Sequence, residues 1–271
     1  MKTRIISGAV ILALAIPLIL FSSVPYVLNT VIGLLCALSV YEALSSMANK
    51  ESKLFLPFAV TFALGIPFIP PLNQTYLLGI VLVMVLIAFS LIIFSNNQLN
   101  LLNIATALVV SVIIPLFFTC IMYLRRIENS GKFYIWLVFI CAWATDTAAY
   151  FFGLKFGKHK MSPIISPKKT IEGSIGGTIT GVICHIICVV IIAYYYKVNV
   201  NYFLIVISGI MAAIIGQIGD LSMSAIKRAF NVKDFGGIIP GHGGILDRFD
   251  SVLFIAPFLY VFFTLFPAIT V

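Results

Sequence analysis

Charge is what this chain has least of. Of its 271 residues, 17 are Lys or Arg and 9 are Asp or Glu, so charged residues make up only 10%. Hydrophobic residues make up 61%, and the mean hydropathy is +1.13. That balance excludes a soluble globular domain, which carries charge on about a quarter of its residues. Low-complexity tracts and secure internal repeats are missing as well, and no polar stretch is long enough to form an independent soluble domain. The five cysteines, Cys36, Cys120, Cys141, Cys184 and Cys188, all fall inside apolar runs, where thiols are usually inert small apolar groups. Cys184-His185 with Cys188 lacks a fourth ligand nearby in sequence and reads as helix core rather than as a metal cluster.

What the chain has instead is a succession of apolar runs. A bilayer core of roughly 30 Å needs about 20 apolar residues per helix. On that scale nine spans are expected, near 5–22, 26–45, 54–71, 75–95, 101–124, 134–154, 171–195, 201–222 and 251–270. The expected class is all-α, a polytopic integral membrane protein forming a single membrane unit. Lys2 and Arg4 precede the first run as in a signal peptide, but no small-x-small cleavage pattern follows before Pro25, which favours a retained helix.

With nine spans, thirteen of the seventeen basic residues fall on one side, leaving Arg125, Arg126, Lys132 and Lys197 on the other. The positive-inside rule makes the first side cytoplasmic. The formal net charge of +8 is then the ordinary basic face of a membrane protein, attractive to anionic lipid, and does not call for nucleic acid.

Topology does not account for the carboxylates. All five aspartates, Asp146, Asp220, Asp234, Asp247 and Asp250, lie in the second half, at or near the expected cytoplasmic ends of spans or in the loop between the last two. Residues 1–130 carry almost no charge inside spans, Glu42 excepted, and read as scaffold. Residues 131–271 carry nearly all the polar chemistry.

Three constellations stand out. The first runs from Ser224 to Asp250, a polar window with five glycines between Gly236 and Gly244. Asp220, Ser224 and Lys227, spaced four and three apart, share one face of a continuing helix, with Arg228 beside them. Asp247 and Asp250, three apart, project together from the start of the last span. A carboxylate at this depth is costly without a partner or cation. Clustered carboxylates beside clustered cations suit a metal ion and a polyphosphate together: hard oxygens select Mg²⁺ or a similar ion, and glycines let backbone N–H groups approach an anion. A nucleoside triphosphate fits these features. Lys233 and Asp234 fit equally well as an interfacial salt bridge.

The second constellation runs from Asp146 to Glu172. Lys155, Lys158, Lys160, Lys168, Lys169 and His159 make a basic loop whose two prolines restrict its backbone. It follows an aspartate inside a span and precedes the next span, a setting for phosphate or lipid headgroups, with His159 a solvated bystander. The third is Gly173, Gly177 and Gly181, every fourth residue with Gly176 beside them. Such a face packs helices closely and brings the basic loop toward the span 201–222. His185 on the same helix reads as a hydrogen-bonded core residue.

The run S-x-x-K-R-x-x-x-x-K-D from Ser224, followed by P-G-H-G-G-x-x-D-R-x-D ending at Asp250, resembles the signature of the phosphatidate cytidylyltransferases, or CDP-diacylglycerol synthases. The upstream D-T-A-A-Y-F-F-G from Asp146 and S-P-K-K-T-I-E-G from Ser166 resemble that family too, as do length and span profile. The resemblance implies conversion of CTP and phosphatidic acid to CDP-diacylglycerol and pyrophosphate at the cytoplasmic face of the membrane, dependent on Mg²⁺ and with a second cation such as K⁺. It implies Asp220 and Asp247 as metal ligands, with Asp250 and Asp146 next. Lys227, Arg228, Lys233 and Arg248 then contact phosphates, Ser224 orients one of them, and Lys168 and Lys169 help hold the anionic substrates. Gly243 and Gly244 belong to the phosphate-approaching turn, where His242 serves either as donor to the departing pyrophosphate or as a structural residue. A homodimer is implied by the family alone. Two rivals stand beside this reading. A transporter would place its charges near the midplane on broken helices, whereas these cluster at one face. A CTP-dependent kinase of polyprenol or another lipid alcohol would share the nucleotide and metal but transfer the γ-phosphate.

Overall fold

Apolar runs of this length can satisfy their backbone polar groups in lipid only by closing helices, and the computed structural model forms eight α-helices among its described residues. It describes residues 16–17, 19–24, 26–69, 74–94, 99–238 and 243–270. The helices are α1 Val27–Ser46, α2 Lys50–Gly65, α3 Gln74–Phe94, α4 Leu101–Arg125, α5 Gly131–Phe156, α6 Ile171–Tyr196, α7 Tyr202–Ala229 and α8 Leu246–Leu265. Among the described residues, seven helical segments are long and apolar enough to cross a membrane, and the apolar part of α3, Leu78–Phe94, is shorter. The eight helices fall on the last eight expected spans. The first expected span, 5–22, lies mostly outside the described residues, as does His242. This is an all-α membrane protein.

Two boundaries move for one reason. Helix α7 runs on to Ala229 rather than ending near 222, and α8 starts at Leu246 rather than near 251. Helix propagation continues past the hydrophobic stretch, since each added residue gains a backbone bond. The Asp220–Lys227 face is therefore fully helical.

The described residues pack as two compact units, Met1–Met122 with Phe230–Arg248, and Tyr123–Ala229 with Phe249–Val271. The segment Phe230–Arg248 joins the first unit because Glu42 on α1 accepts a hydrogen bond from the Leu246 N–H at 3.0 Å. In that unit α1 packs on α2, where Asn29 Nδ2 donates to the Pro67 carbonyl at 2.7 Å. Helix α2 opens with Asn49 as its cap, the side chain accepting from Ser52 N–H at 2.7 Å.

The second unit is organised by α6. A Cβ added at Gly173 would meet the Ala149 carbonyl oxygen at 2.6 Å, and one at Gly177 would meet Ala149 Cβ and the Thr145 oxygen at 2.8 Å. The small-residue face is therefore buried against α5, as expected of it. On the opposite side Ile175, Ile179, Ile183 and Ile187 are exposed at the same four-residue period, an apolar stripe suited to lipid. His185 is fully buried, with Nε2 3.3 Å from Ser208 Oγ on α7.

The basic segment between α5 and α6 is a hairpin, not a loop. Strand β1, Lys160–Ser162, pairs antiparallel with β2, Ser166–Thr170. Nor is His159 a bystander: its Nδ1 lies 2.6 Å from Glu172 Oε1, and its backbone N–H donates to the same carboxylate. Glu172 sits in the first turn of α6, where negative charge suits the helix dipole, and so closes the hairpin's base.

Candidate active site

Helix α5 delivers Asp146 from its C-terminal half, and the hairpin delivers Lys160, Lys168 and Lys169. Thr170 then ends the strand and caps α6, its side chain accepting the Gly173 N–H at 3.2 Å. That turn places Ser174 beside Gln217 on α7. These residues, with Asp220, line a cavity of about 400 Å³ in the second unit.

The Lys169 ammonium forms an ion pair with the Asp220 carboxylate, and Ser224 Oγ donates to the other Asp220 oxygen at 3.4 Å. The Ser251 hydroxyl donates to Asp146 at 2.9 Å, and the Ser251 N–H donates to Asp250 at 2.8 Å. Asp250 is 8% exposed and Lys227 7% exposed, and Asp250 lies within electrostatic reach of Asp220, Asp146 and Lys227. Arg228 Nε donates to the Ile165 carbonyl at 3.3 Å, holding the hairpin turn to the end of α7. Of the expected site residues, Asp146, Lys168, Lys169, Asp220, Ser224, Lys227, Arg228 and Asp250 thus belong to the second unit.

Lys233, Gly243, Gly244, Asp247 and Arg248 lie in the first unit. Asp247 Oδ2 accepts the N–H groups of Phe235 and Gly244 at 2.9 and 3.0 Å, so this carboxylate staples the two arms of the glycine-rich segment. Gly243, at φ 86°, takes a backbone conformation that side chains rarely adopt. Lys233 and Arg248 are exposed.

Sequence reasoning missed Gln217 and Ser174. The Ser174 hydroxyl donates to Gln217 Oε1, and Gln217 Nε2 donates to Thr178 Oγ1 at 3.0 Å and to the Ser174 carbonyl at 3.3 Å. The available signal was an amide inside an apolar helix three residues before Asp220, since a polar group at that depth requires partners. Ser251, the partner of Asp146, carried no signal beyond its place next to Asp250.

The donor chemistry of Asp146, Asp220 and Asp250 fits a hard divalent cation. Among the described residues no three His, Cys, Asp or Glu side chains converge on one point that could hold a metal ion. The three carboxylates are held instead by Lys169, by Ser224 and by the two donors of Ser251. A buried set of like charges needs cations close at hand, and the lysines supply them here.

Comparison with known proteins gives a consistent result. The family model for the cytidylyltransferase family matches residues 2–266. The chain is 35% identical over 268 residues to the phosphatidate cytidylyltransferase of Staphylococcus haemolyticus strain JCSC1435, covering 96% of this chain and 98% of that one. It is 35% identical over 269 residues to the protein of that name from Staphylococcus saprophyticus, with the same coverage. Against the one from Staphylococcus aureus strain COL it is 34% identical over 267 residues, again at 96% and 98%.

Proposed function

The chain belongs to the cytidylyltransferase family, and from that premise we propose that it transfers the cytidylyl group of CTP to phosphatidic acid, forming CDP-diacylglycerol and pyrophosphate. The observation that carries this reading is the pairing of Lys169 with Asp220 in a cavity that Asp146, Lys160 and Lys168 also line. Such a cavity offers anions both direct cationic partners and carboxylates able to hold a bridging ion. The names and near full-length similarity of the relatives support the same substrates.

In the proposed reaction a phosphate oxygen of the lipid bonds to the α-phosphorus of CTP. The bond from that phosphorus to the oxygen bridging to the β-phosphorus breaks, and pyrophosphate leaves with its electron pair. The attacking oxygen is already anionic at neutral pH, so no strong general base is needed. Catalysis is then mainly positioning and charge neutralisation. Lys168 and Lys169 draw the anionic substrates into the cavity, while Lys227 and Arg228 face the phosphates from the end of α7. Ser224 orients the Asp220 carboxylate. The resemblance assigns Gly243, Gly244, Lys233 and Arg248, of the first unit, to phosphate binding as well. Asp220, Asp250 and Asp146 are the second unit's candidate ligands for Mg²⁺, Asp247 of the first unit is a further candidate, and K⁺ is the candidate second cation. Bound there, the cations would neutralise charge on the nucleophile and the leaving group.

The positive-inside count supports the cytoplasmic face for this chemistry. The working form in this reading is a homodimer, to be checked by light scattering in micelles.

The deciding experiment uses the purified full chain in detergent with phosphatidic acid and CTP labelled on the cytosine ring. Label in a chloroform-extractable product, matched by released pyrophosphate, is the expected outcome. Labelled CDP formed only when a lipid alcohol is supplied would overturn it in favour of a kinase.

A further inference from the structure

We propose that Glu42 is a positioning residue for the transfer reaction: it fixes the start of α8 and, through it, the direction of the Asp247 carboxylate. The inference rests on the reaction proposed above. Glu42 is the only charged residue in α1, and it is 2% exposed. A carboxylate so placed on a membrane helix is expensive without a partner.

Its position is specific. Oε2 accepts the N–H of Leu246 at 3.0 Å. Leu246 is the first residue of α8, and a first-turn N–H has no partner within its own helix. Among the described residues Oε1 accepts no hydrogen bond. The carboxylate presses on the glycine-rich segment from both arms, since a Cβ added at Gly236 or Gly244 would lie 2.5 Å from a Glu42 oxygen. The residue after Leu246 is Asp247, whose Oδ2 takes the N–H groups of Phe235 and Gly244. Two carboxylates thus hold the segment, and only the smallest residue fits at Gly236 and Gly244 against Glu42. The lone carboxylate of α1 thereby reaches the proposed reaction through the backbone, without touching substrate.

The test uses the full-length protein in detergent and four variants. Glu42→Met fills the same volume without an acceptor, Glu42→Gln keeps an acceptor without the charge, and Gly244→Ala intrudes on the carboxylate. Glu51→Met is the control, because Glu51 is also buried and also accepts a backbone N–H, that of Asn100 at 2.7 Å. Misplacement of a reacting group by about 1 Å can cost on the order of 100-fold. That is the loss of kcat expected for Glu42→Met and Gly244→Ala, with Glu42→Gln and Glu51→Met within about threefold of wild type. Hydrogen exchange at the Leu246 amide should speed up about tenfold or more in Glu42→Met and stay near wild type in Glu42→Gln. Retention of kcat by Glu42→Met, unchanged exchange at Leu246, or a fall in Glu42→Gln as deep as in Glu42→Met would each overturn the proposal. A well-folded wild-type protein that puts no cytidylate on lipid would count against the reaction instead, because amide exchange judges Glu42 independently of turnover.

Discussion

The ammonium of Lys169, on β2, rests on the carboxylate of Asp220, on α7. The pair joins the basic hairpin to the acidic face of a membrane helix, and both side chains keep partial access to solvent, at 29% and 22%. In the proposed reaction Lys169 would exchange this carboxylate for a phosphate, and a pair this exposed contributes little to stability.

Asp220→Asn is nearly isosteric and leaves Ser224 with an oxygen to donate to. The protein should fold, with its thermal midpoint in detergent within a few degrees of wild type. Turnover should fall by on the order of 100-fold or more, the scale seen when one electrostatic stabiliser of a transition state is removed. Near-normal kcat would rule out a direct role for this carboxylate.

Lys169→Met removes the cation while keeping the stem. Partly exposed ion pairs contribute about 1 kcal/mol or less, so unfolding should shift little. The apparent KM for CTP or for phosphatidic acid should rise several-fold if the lysine meets either anion. The double variant with Asp220→Asn should show non-additive losses, since the two side chains are in contact. Additive losses in that cycle would mean that the pair is incidental.

Much of this arrangement could be read from the chain before any coordinates. Long apolar runs announce their helices, and a spacing of four and three places Asp220, Ser224 and Lys227 on one face, which the Ser224–Asp220 hydrogen bond bears out. The glycine stripe was legible as packing because period four has few other meanings inside a membrane span. The hairpin was not legible, since its register depends on pairing such as Lys160 with Thr170 and its closure on Glu172, outside both strands. Still less so was the attachment of the glycine-rich segment to α1, a contact between residues 204 positions apart. Local periodicity carries no trace of such a partner, and only the oddity of one carboxylate in an apolar helix hinted at it.

Gly177→Leu tests the packing that sets the cavity's width. Even a Cβ there would come within 2.8 Å of the Thr145 carbonyl oxygen and of Ala149 Cβ, so α6 must retreat from α5. Overpacking of this kind costs about 1–3 kcal/mol or more. Stability against denaturant and turnover should fall together, whereas Ile179→Leu, on the exposed stripe of the same helix, should alter neither. Loss of activity at unchanged stability in Gly177→Leu would show that the stripe serves chemistry rather than packing.

Asp247 has two tasks in this account, and one pair of variants separates them. Its Oδ2 holds the Phe235 and Gly244 N–H groups, and its charge is proposed to serve the cations and phosphates. Asn can still accept both hydrogen bonds but carries no charge, whereas Ala does neither. If both tasks are real, Asp247→Asn should keep the wild-type unfolding midpoint and lose on the order of 100-fold in kcat. Asp247→Ala should show that loss and also melt earlier, because leaving two backbone donors unpartnered costs about 1–3 kcal/mol where they are buried. Raising Mg²⁺ should not restore Asp247→Ala, since its loop no longer presents the glycine N–H groups in place. Wild-type kcat in Asp247→Asn would confine this residue to holding the loop and leave Asp146, Asp220 and Asp250 as the carboxylates available to a cation.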